Sequence, residues 1–305
     1  MNTLTKTPRI SIVIPSYNQG HYLEQAIQSV LGQGYPELEL IIIDGGSTDN
    51  SLEIIKKYSS HLAYWESTPD RGQAHAINKG FAHATGEIIT FLSSDDYYLP
   101  DTFFDVAEQY SQNPEAGAII GGFCFLDEDQ SIPNEPIQPF VDGPTPVDLT
   151  LGPPGKYRMH QAATFYTCVA LDAVGRTVQE DMKYVMDREL LYRVCRLYPL
   201  VLSQAAYGVF RRHLESKSVK DILPFAREFS SLYLSALSVD TQANQLRRNM
   251  AKYRLSRGYV KYANANVRSL ASFIALARAG LVYPSLFVSA SYWKSYLKLA
   301  FLANH

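Results

Sequence analysis

Residues 10–33 read ISIVIPSYNQGHYLEQAIQSVLGQ, and this stretch decides the fold. Its first five residues, ISIVI, are mostly β-branched and apolar, which is typical of a short strand buried on both faces of a parallel sheet. After the loop PSYNQG, apolar residues recur at helical spacing and predict a helix over about 21–33. The stripe consists of Leu23, Ala26, Ile27, Val30 and Leu31. The stretch therefore predicts a strand that ends at Pro15, a loop and an amphipathic helix.

The same pattern recurs further along the chain. Strand-like apolar runs occur as LELIII at 38–43, LAYW at 62–65 and EIITFL at 87–92. We expect the helix after the first of these runs to begin with a capping box of Asn50 and Glu53, and a second apolar stripe predicts a helix over 74–84. Alternation of strands and helices predicts an α/β fold with a parallel sheet.

Four loops of this predicted sheet carry most of its polar side chains. They begin at Pro15, Asp44, Glu66 and Ser93. Because ligands of such sheets bind beyond the carboxyl ends of the strands, we expect the four loops to meet in one crevice.

The composition fits a protein with one large core and an appendage. The chain has 305 residues, of which 46% are hydrophobic and 19% charged. Its three cysteines show no CxxC spacing, and the N-terminal apolar run is too short for a signal sequence. We therefore expect a cytoplasmic protein without disulfides.

The charge is distributed unevenly along the chain. Residues 214–305 contain thirteen Lys and Arg against four acids, a balance of +9, so the first 213 residues carry −11 of the total of −2. Helical patterns dominate from 221 onward, which predicts a catalytic domain over 1–220 and a helical extension over 221–305. The basic extension suggests peripheral binding to an anionic membrane surface at its inner face, although a solvated helical face or a homo-oligomer contact explains it as well. No nucleic-acid partner is predicted.

Acidic and aromatic residues at the strand ends suggest a site for a metal and a nucleotide. Asp95 and Asp96 directly follow EIITFL, where carboxylates can hold a divalent cation against a diphosphate. Taken alone, such a pair is more typical of a turn or of a helix cap before Pro100. Asp44 can accept hydrogen bonds from a base or a ribose, and Tyr17 offers a ring for stacking.

The chain resembles the family 2 glycosyltransferases of the GT-A fold. The resemblance runs nearly unbroken over residues 10–100, through IIIDGGSTDNS and ESTPDRGQAHAINKGFAHATGEIITFLSSDDYYLP. Three later segments also look like that family: HQAATFYTCVALDAVG at 160–175, YVMDRELLYRV at 184–194 and FRRHLESKS at 210–218. The resemblance implies a Rossmann-like, mixed and mostly parallel sheet flanked by helices, with a C-terminal helical extension.

By this resemblance, individual residues take roles at a nucleotide-sugar site. Asp187 is the catalytic base, and Asp95 and His213 are metal ligands. The residues implied at the nucleotide sugar are Pro15, Tyr17, Asp44, Asp70, Arg71, Ser94, Asp95 and Lys217. Those implied at the donor or acceptor pocket are Trp65, Glu66, Asp96, His160 and Gln161. Ser93 stands where many relatives have Asp, which removes one carboxylate from the metal motif.

The function implied is inverting transfer of a sugar from a nucleotide sugar, a UDP-sugar in first place, with Mn²⁺ or Mg²⁺ as cofactor. The acceptor would be a hydroxyl of a glycan or of a lipid-linked glycan in cell-surface polysaccharide synthesis. A base is needed because the acceptor hydroxyl must lose its proton as it attacks the anomeric carbon. Two alternatives stay open: a nucleotidyltransferase, and a GT-A binding module without catalysis.

Overall fold

The computed structural model describes residues 7–141, 157–217, 221–236, 244–265, 270–283 and 295. The chain divides into two compact units, Met1–His213 and Leu214–His305. The division thus falls at 213/214, ahead of the boundary at 220/221 that the sequence predicted.

The first unit contains the strands of the described residues. They are β1 (Ile10–Ser16), β2 (Leu38–Asp44), β3 (Tyr64–Ser67), β4 (Ile88–Phe91), β5 (Tyr97–Tyr98), β6 (Ala118–Asp127), β7 (Phe140–Val141), β8 (Tyr157–Arg158), β9 (Thr164–Thr167) and β10 (Leu200–Arg212). Eight of them form one sheet in the order β3-β2-β1-β4-β9-β6-β10-β5, and β7 pairs with β8. The pairs among β1, β2, β3 and β4 are parallel, whereas β9 runs antiparallel to β4 and β6. The sheet is therefore mixed and mostly parallel, as expected.

Helices cover both faces of this sheet. They are α1 (Gly20–Leu31), α2 (Ser51–Tyr58), α3 (Gln73–His83), α4 (Thr102–Gln112), α5 (Cys168–Ala173) and α6 (Met186–Cys195). Side chains of β1 alternate between the faces, because successive residues of a strand point to opposite sides. Ile12 and Ile14 join the core beneath α1, α2 and α4, and Val13 joins the core beneath α3, α5 and α6.

The carboxyl ends of the first four strands lie at one edge of the sheet. Ser16 pairs with Asp44, and Asp44 pairs with Ser67. The backbone N–H of Leu92, just after β4, donates to the carbonyl of Val13. The four loops therefore leave the sheet side by side at one edge, as expected, whereas their meeting in one crevice stays a prediction.

The start of α2 differs from the predicted capping box. The Asn50 side chain makes no capping hydrogen bond. Instead the Asp49 carboxylate accepts from the backbone N–H of Ser51 at 3.0 Å and from that of Gly20 at 2.9 Å. The capping box is wrong because Asp49 lies between the N-termini of α1 and α2 and takes a donor from each.

The second unit is helical in the residues described. It comprises α7 (Ile222–Ala236), α8 (Asn244–Ala265) and α9 (Leu270–Val282). A small core joins α8 to α9 through Tyr259, Val260, Ala263, Ala275, Leu276 and Ala279. Within the described residues, no helix has both the length and the apolar character needed to cross a bilayer.

Candidate active site

The loops after β1 and β2 are joined by hydrogen bonds. The backbone N–H of Asn18 donates to the hydroxyl of Ser47 at 2.8 Å, and that of Thr48 donates to the Asn18 side chain at 2.8 Å. Tyr17, between β1 and this contact, has 61% of its surface exposed. Its ring is therefore accessible for the stacking that the sequence predicted, whereas Pro15 is buried within β1 opposite Ile43.

Asp44 organises the loop that follows it. Its side chain is fully buried, and Oδ2 accepts from the backbone N–H groups of Gly46 at 3.1 Å and Ser47 at 2.9 Å and from the Ser67 hydroxyl at 2.7 Å. Oδ1 accepts from the Ser47 hydroxyl at 2.5 Å. Contact with a nucleotide stays a prediction for Asp44, but its carboxylate already has four donors within the protein.

Asp70 and Arg71 flank this loop and take different partners. Asp70 accepts from the backbone N–H of Gly72 at 2.7 Å, and a Cβ added at Gly45 would meet the Asp70 carboxylate at 3.0 Å. Asp70 thus borders the turn after β2. Arg71 forms a bidentate ion pair with Glu180, at 3.0 Å from Nε and 2.7 Å from Nη2 to Oε2.

Trp65 and Glu66 contact the body of the sheet. Trp65 packs against the core beneath α1 and α2. Glu66 forms an ion pair with Lys79 and accepts from the Tyr64 hydroxyl at 3.0 Å. The hydrogen bond from Lys79 is the main cause that lowers the pKa of Glu66. Neither side chain lines the pocket that contains Asp187.

Asp95 and His213 form a close pair at the end of β4. The Asp95 Oδ2 lies 3.1 Å from the His213 Nε2. Two neighbouring ligands of an octahedral ion, each about 2.1 Å from it, would be about 3.0 Å apart. A carboxylate oxygen and an imidazole nitrogen at this separation fit a Mn²⁺ or Mg²⁺ ion that takes its other ligands from a diphosphate and water. No group of three or more His, Cys, Asp or Glu residues suited to a metal occurs in the described parts of the chain.

Asp96 differs from its neighbour, since it is buried and turned toward the backbone. Its Oδ1 accepts from the backbone N–H of Arg211 at 3.0 Å, and only 2% of the residue is exposed. Burial, and next the charge of Asp95, raise the pKa of Asp96 well above its ordinary value. The structure therefore gives Asp96 a supporting position rather than an open one in the pocket.

The two serines of SSDD are part of the same turn. The Ser93 carbonyl accepts from the backbone N–H of Asp96 at 2.9 Å, and its hydroxyl accepts from the Gln73 side chain at 3.3 Å. Ser94 is buried, with 5% exposed. Ser93 therefore links the metal motif to the start of α3.

Asp187 and His160 line one pocket. Its walls are formed by Met159, His160, Gln161, Thr164, Tyr166, Asp187, Arg188 and Leu191. Asp187 lies in the first turn of α6, where the helix dipole favours a negative charge. Gln161 donates to the carbonyl of Phe91 at the end of β4. The pocket therefore brings together the predicted base and two of the five predicted pocket residues, His160 and Gln161.

The imidazole of His160 is held as a neutral ring. Its Nδ1 accepts from the backbone N–H of Ala162 at 3.3 Å, and its ring packs 4.4 Å from that of Phe210 between centroids. Burial lowers the pKa of His160 to about 4, although the nearby charge of Asp95 opposes this. Since Nδ1 is an acceptor, the proton resides on Nε2, which makes His160 a hydrogen-bond donor. The charge of Asp95 therefore acts on a ring that lines the pocket of Asp187.

Arg211 and Lys217, which both belong to the segment FRRHLESKS at 210–218, lie in different units. Arg211, to which the sequence analysis gave no role, lies against Asp95 and Asp96 through its backbone and its guanidinium. The alternation of side chains along β10 could have indicated this position, because Arg211 lies two residues before His213 and therefore on the same face of the strand. Lys217 belongs to the second unit, where its carbonyl accepts from the backbone N–H of Asp221 at 3.0 Å. Its contact with a diphosphate stays a prediction.

Solved structures show the class of fold to which this arrangement belongs. Staphylococcus aureus TarS 1-349 in complex with UDP-GlcNAc has a TM-score of 0.63 at 17% identity, over 97% of this chain and 89% of that one. The mannosyltransferase PcManGT from Pyrobaculum calidifontis, in complex with GDP-Man and Mn²⁺, has a TM-score of 0.61 at 18% identity, over 98% and 86%. The fold is that of the GT-A glycosyltransferases.

Sequence comparisons specify the family. Residues 11–153 match the family described as Glycosyl transferase family 2. An uncharacterized glycosyltransferase of Nostoc sp. is 37% identical over 36% of this chain and 35% of its own length. The poly-beta-1,6-N-acetyl-D-glucosamine synthase of Staphylococcus epidermidis is 34% identical over 37% and 28%. The chain therefore carries a glycosyltransferase family 2 region over residues 11–153. It spans 35% to 40% of the length of the first two curated relatives that it matches.

Proposed function

We propose that this protein is an inverting glycosyltransferase that transfers a sugar from a nucleoside-diphosphate sugar to a hydroxyl of a glycan or lipid-linked acceptor. The observation that carries the proposal is the pair of Asp95 and His213, 3.1 Å apart, at the strand ends where the loops converge. His160 lines the pocket of Asp187 and is influenced by the charge of Asp95. The site therefore combines metal ligands with a carboxylate able to act as a base.

In this mechanism Asp187 accepts the proton of the acceptor hydroxyl as its oxygen attacks the anomeric carbon. Attack from the side opposite the leaving nucleoside diphosphate inverts the configuration at that carbon. Asp95 and His213 would hold a divalent cation, which offsets the negative charge on the departing diphosphate. Tyr17, exposed beside the loop after β1, would stack on the base.

A UDP-sugar is the donor that we favour. The S. aureus structure contains UDP-GlcNAc, and the S. epidermidis relative is named as a synthase of an N-acetyl-D-glucosamine polymer. PcManGT contains GDP-Man, so a GDP-sugar is the next candidate. The relatives also favour a role in cell-surface polysaccharide synthesis.

Nucleotide binding and transfer test this proposal directly. We expect UDP with Mn²⁺ to raise the melting temperature more than UDP or Mn²⁺ alone, because a ligand bound only by the folded state stabilises it. A panel of UDP-, GDP- and TDP-sugars would then be screened for donor hydrolysis and transfer. Stabilisation without any turnover would favour a non-catalytic binding module, and absence of any nucleotide effect would contradict the donor site.

Exposed apolar residues and the positive charge of the second unit support a proposal that the acceptor is located at a membrane surface. On α9, Ile274 and Leu281 are exposed by 45% and 76%, and Arg278 lies on the same helix with an exposed side chain. The unit around them carries a net charge of +9. An exposed apolar face among basic residues fits the surface of an anionic membrane, where a lipid-linked acceptor would be present.

Sedimentation with lipid vesicles tests this second proposal. We expect binding to vesicles that contain phosphatidylglycerol, and less binding to pure phosphatidylcholine or in high salt. Leu281→Glu should weaken binding, whereas Glu53→Gln in the first unit should leave it unchanged. Equal binding of both variants to both kinds of vesicle would contradict a membrane role for α9.

A further inference from the structure

We propose that Arg211 is a positioning residue that holds the Asp95–Asp96 turn against the end of β10, so that Asp95 stays within ligand distance of His213. The inference rests on the proposed function, because it takes Asp95 and His213 as the residues that bind the cation.

Arg211 contacts both aspartates, and it does so through different atoms. Its backbone N–H donates to the Asp96 carboxylate at 3.0 Å, and its Nη1 donates to the Asp95 carbonyl at 3.2 Å. The two hydrogen bonds fix the turn from two sides while the Asp95 carboxylate remains directed at His213. Removal of the guanidinium would release the Asp95 carbonyl but leave the contact with Asp96 in place.

The guanidinium itself is held by α1 and β5. The guanidinium carbon Cζ of Arg211 lies 5.1 Å from the centre of the Tyr22 ring and 5.0 Å from the centre of the Tyr97 ring. The Nη2 atom donates to the side-chain oxygen of Gln25. Two aromatic rings and an amide oxygen therefore define its orientation, as is typical of arginine at a site that requires fixed geometry.

The turn has a physical need for such support. Asp96 is almost completely buried, with 2% of the residue exposed. A buried carboxyl group is costly unless it has a hydrogen-bond partner, and the backbone N–H of Arg211 provides one at 3.0 Å.

Arg212 provides a matched control. It is the next residue of the same strand, so its side chain points to the opposite face. Its guanidinium pairs with Asp127 at 2.6 Å and lies 4.4 Å from the centre of the Phe125 ring. It has the same charge as Arg211, and its guanidinium lies against Asp127 and Phe125 instead of the Asp95–Asp96 turn.

Charge and positioning predict opposite effects on metal binding. If Arg211 acted only as a positive charge, Arg211→Gln would strengthen Mn²⁺ binding, because a cation near the ion would be lost. If it holds the turn, Arg211→Gln and Arg211→Lys should both weaken binding, since lysine keeps the charge but lacks the planar group with several donors. Loss of such an outer contact weakens metal binding by about tenfold or more.

The test is a titration of Mn²⁺, alone and with UDP, monitored by the electron paramagnetic resonance of the free ion in the full-length protein. We expect Arg211→Lys to bind Mn²⁺ about tenfold more weakly, Gln25→Ala to shift the affinity in the same direction, and Arg212→Lys to match the unchanged protein. Equal affinity of Arg211→Lys, or tighter binding by Arg211→Gln, would overturn the inference and leave the proposed function intact. If the arginine variants do not fold, unchanged affinity in Gln25→Ala would overturn it. Absence of Mn²⁺ binding by the unchanged protein would contradict the metal site and this inference together.

Discussion

The Oδ2 atom of Asp95 lies 3.1 Å from the Nε2 atom of His213, although 118 positions separate the two residues in the chain. The contact joins the turn after β4 to the residue that follows β10. Because its two segments are so distant in the chain, the pair depends on the fold of the whole sheet. Its proposed role in metal binding can be tested by substitution of either residue.

His213→Ala should weaken Mn²⁺ binding in the presence of UDP by about tenfold or more, because one of two protein ligands is removed. Isothermal titration of Mn²⁺ into the UDP-saturated protein would measure this change. His61→Ala, which alters an exposed histidine of the first unit, is the control. Similar affinities for the two variants would exclude His213 as a metal ligand.

Asp187→Asn should lower kcat for sugar transfer about 1,000-fold, since loss of a general base costs two to four orders of magnitude. The rise in melting temperature with UDP and Mn²⁺ should be retained, because neither Asp95 nor His213 is altered. Asp181→Asn changes an exposed carboxylate just before α6 and should transfer at the normal rate. Normal turnover by Asp187→Asn would remove Asp187 from the mechanism.

Asp44→Asn should lower the free energy of unfolding by about 2 kcal/mol, because an amide cannot accept from all four donors around the carboxylate. Urea denaturation would measure the change, and Ser47→Ala should cause a smaller one. If Asp44→Asn weakened UDP binding without any loss of stability, the residue would act on the ligand rather than on the loop.

His160→Gln should reduce the dependence of stability on pH between about 6.5 and 4. The folded-state pKa of His160 is lowered to about 4, so the unfolded chain binds a proton first as the pH falls. The free energy of unfolding should therefore decrease through this window by up to about 3 kcal/mol in the unchanged protein. Denaturant titrations at several pH values would show the difference, with His61→Gln as the control. Parallel curves for the unchanged protein and His160→Gln would contradict the neutral, buried ring.

Periodicity in the sequence was enough to predict β1 to β4, the first helices and the edge of the sheet from which their loops leave, because apolar runs and helical stripes directly reflect burial. Periodicity could not predict that the Asp44 carboxylate accepts from four donors of the protein itself. These donors come from the turn after β2 and from β3, which only the folded chain brings together. Trp65 is a similar case, because the face on which a strand residue points depends on register. The boundary at 213/214 also escaped prediction, since helical patterns become evident only from about 221.

The site residues also differ in whether the sequence could predict them. Asp95, His213, Asp187 and His160 were proposed from a resemblance over several motifs. The structure places Asp95 beside His213, and it places His160 and Asp187 in one pocket. Arg211 was missed because its importance arises from contacts with Tyr22, Gln25 and Tyr97, which are distant in sequence. Tertiary partners of this kind leave no local pattern.

The ion pair between Arg71 and Glu180 has a consequence for how the phosphates of a donor would bind. Its two side chains are 66% and 37% exposed, and an ion pair so open to water contributes little to stability. A phosphate group could therefore replace Glu180 at small cost and would offer Arg71 the same forked geometry. Glu180 belongs to the stretch that leads into α6 and Asp187. We therefore expect donor binding to free the Glu180 carboxylate, six positions before the helix that contains Asp187.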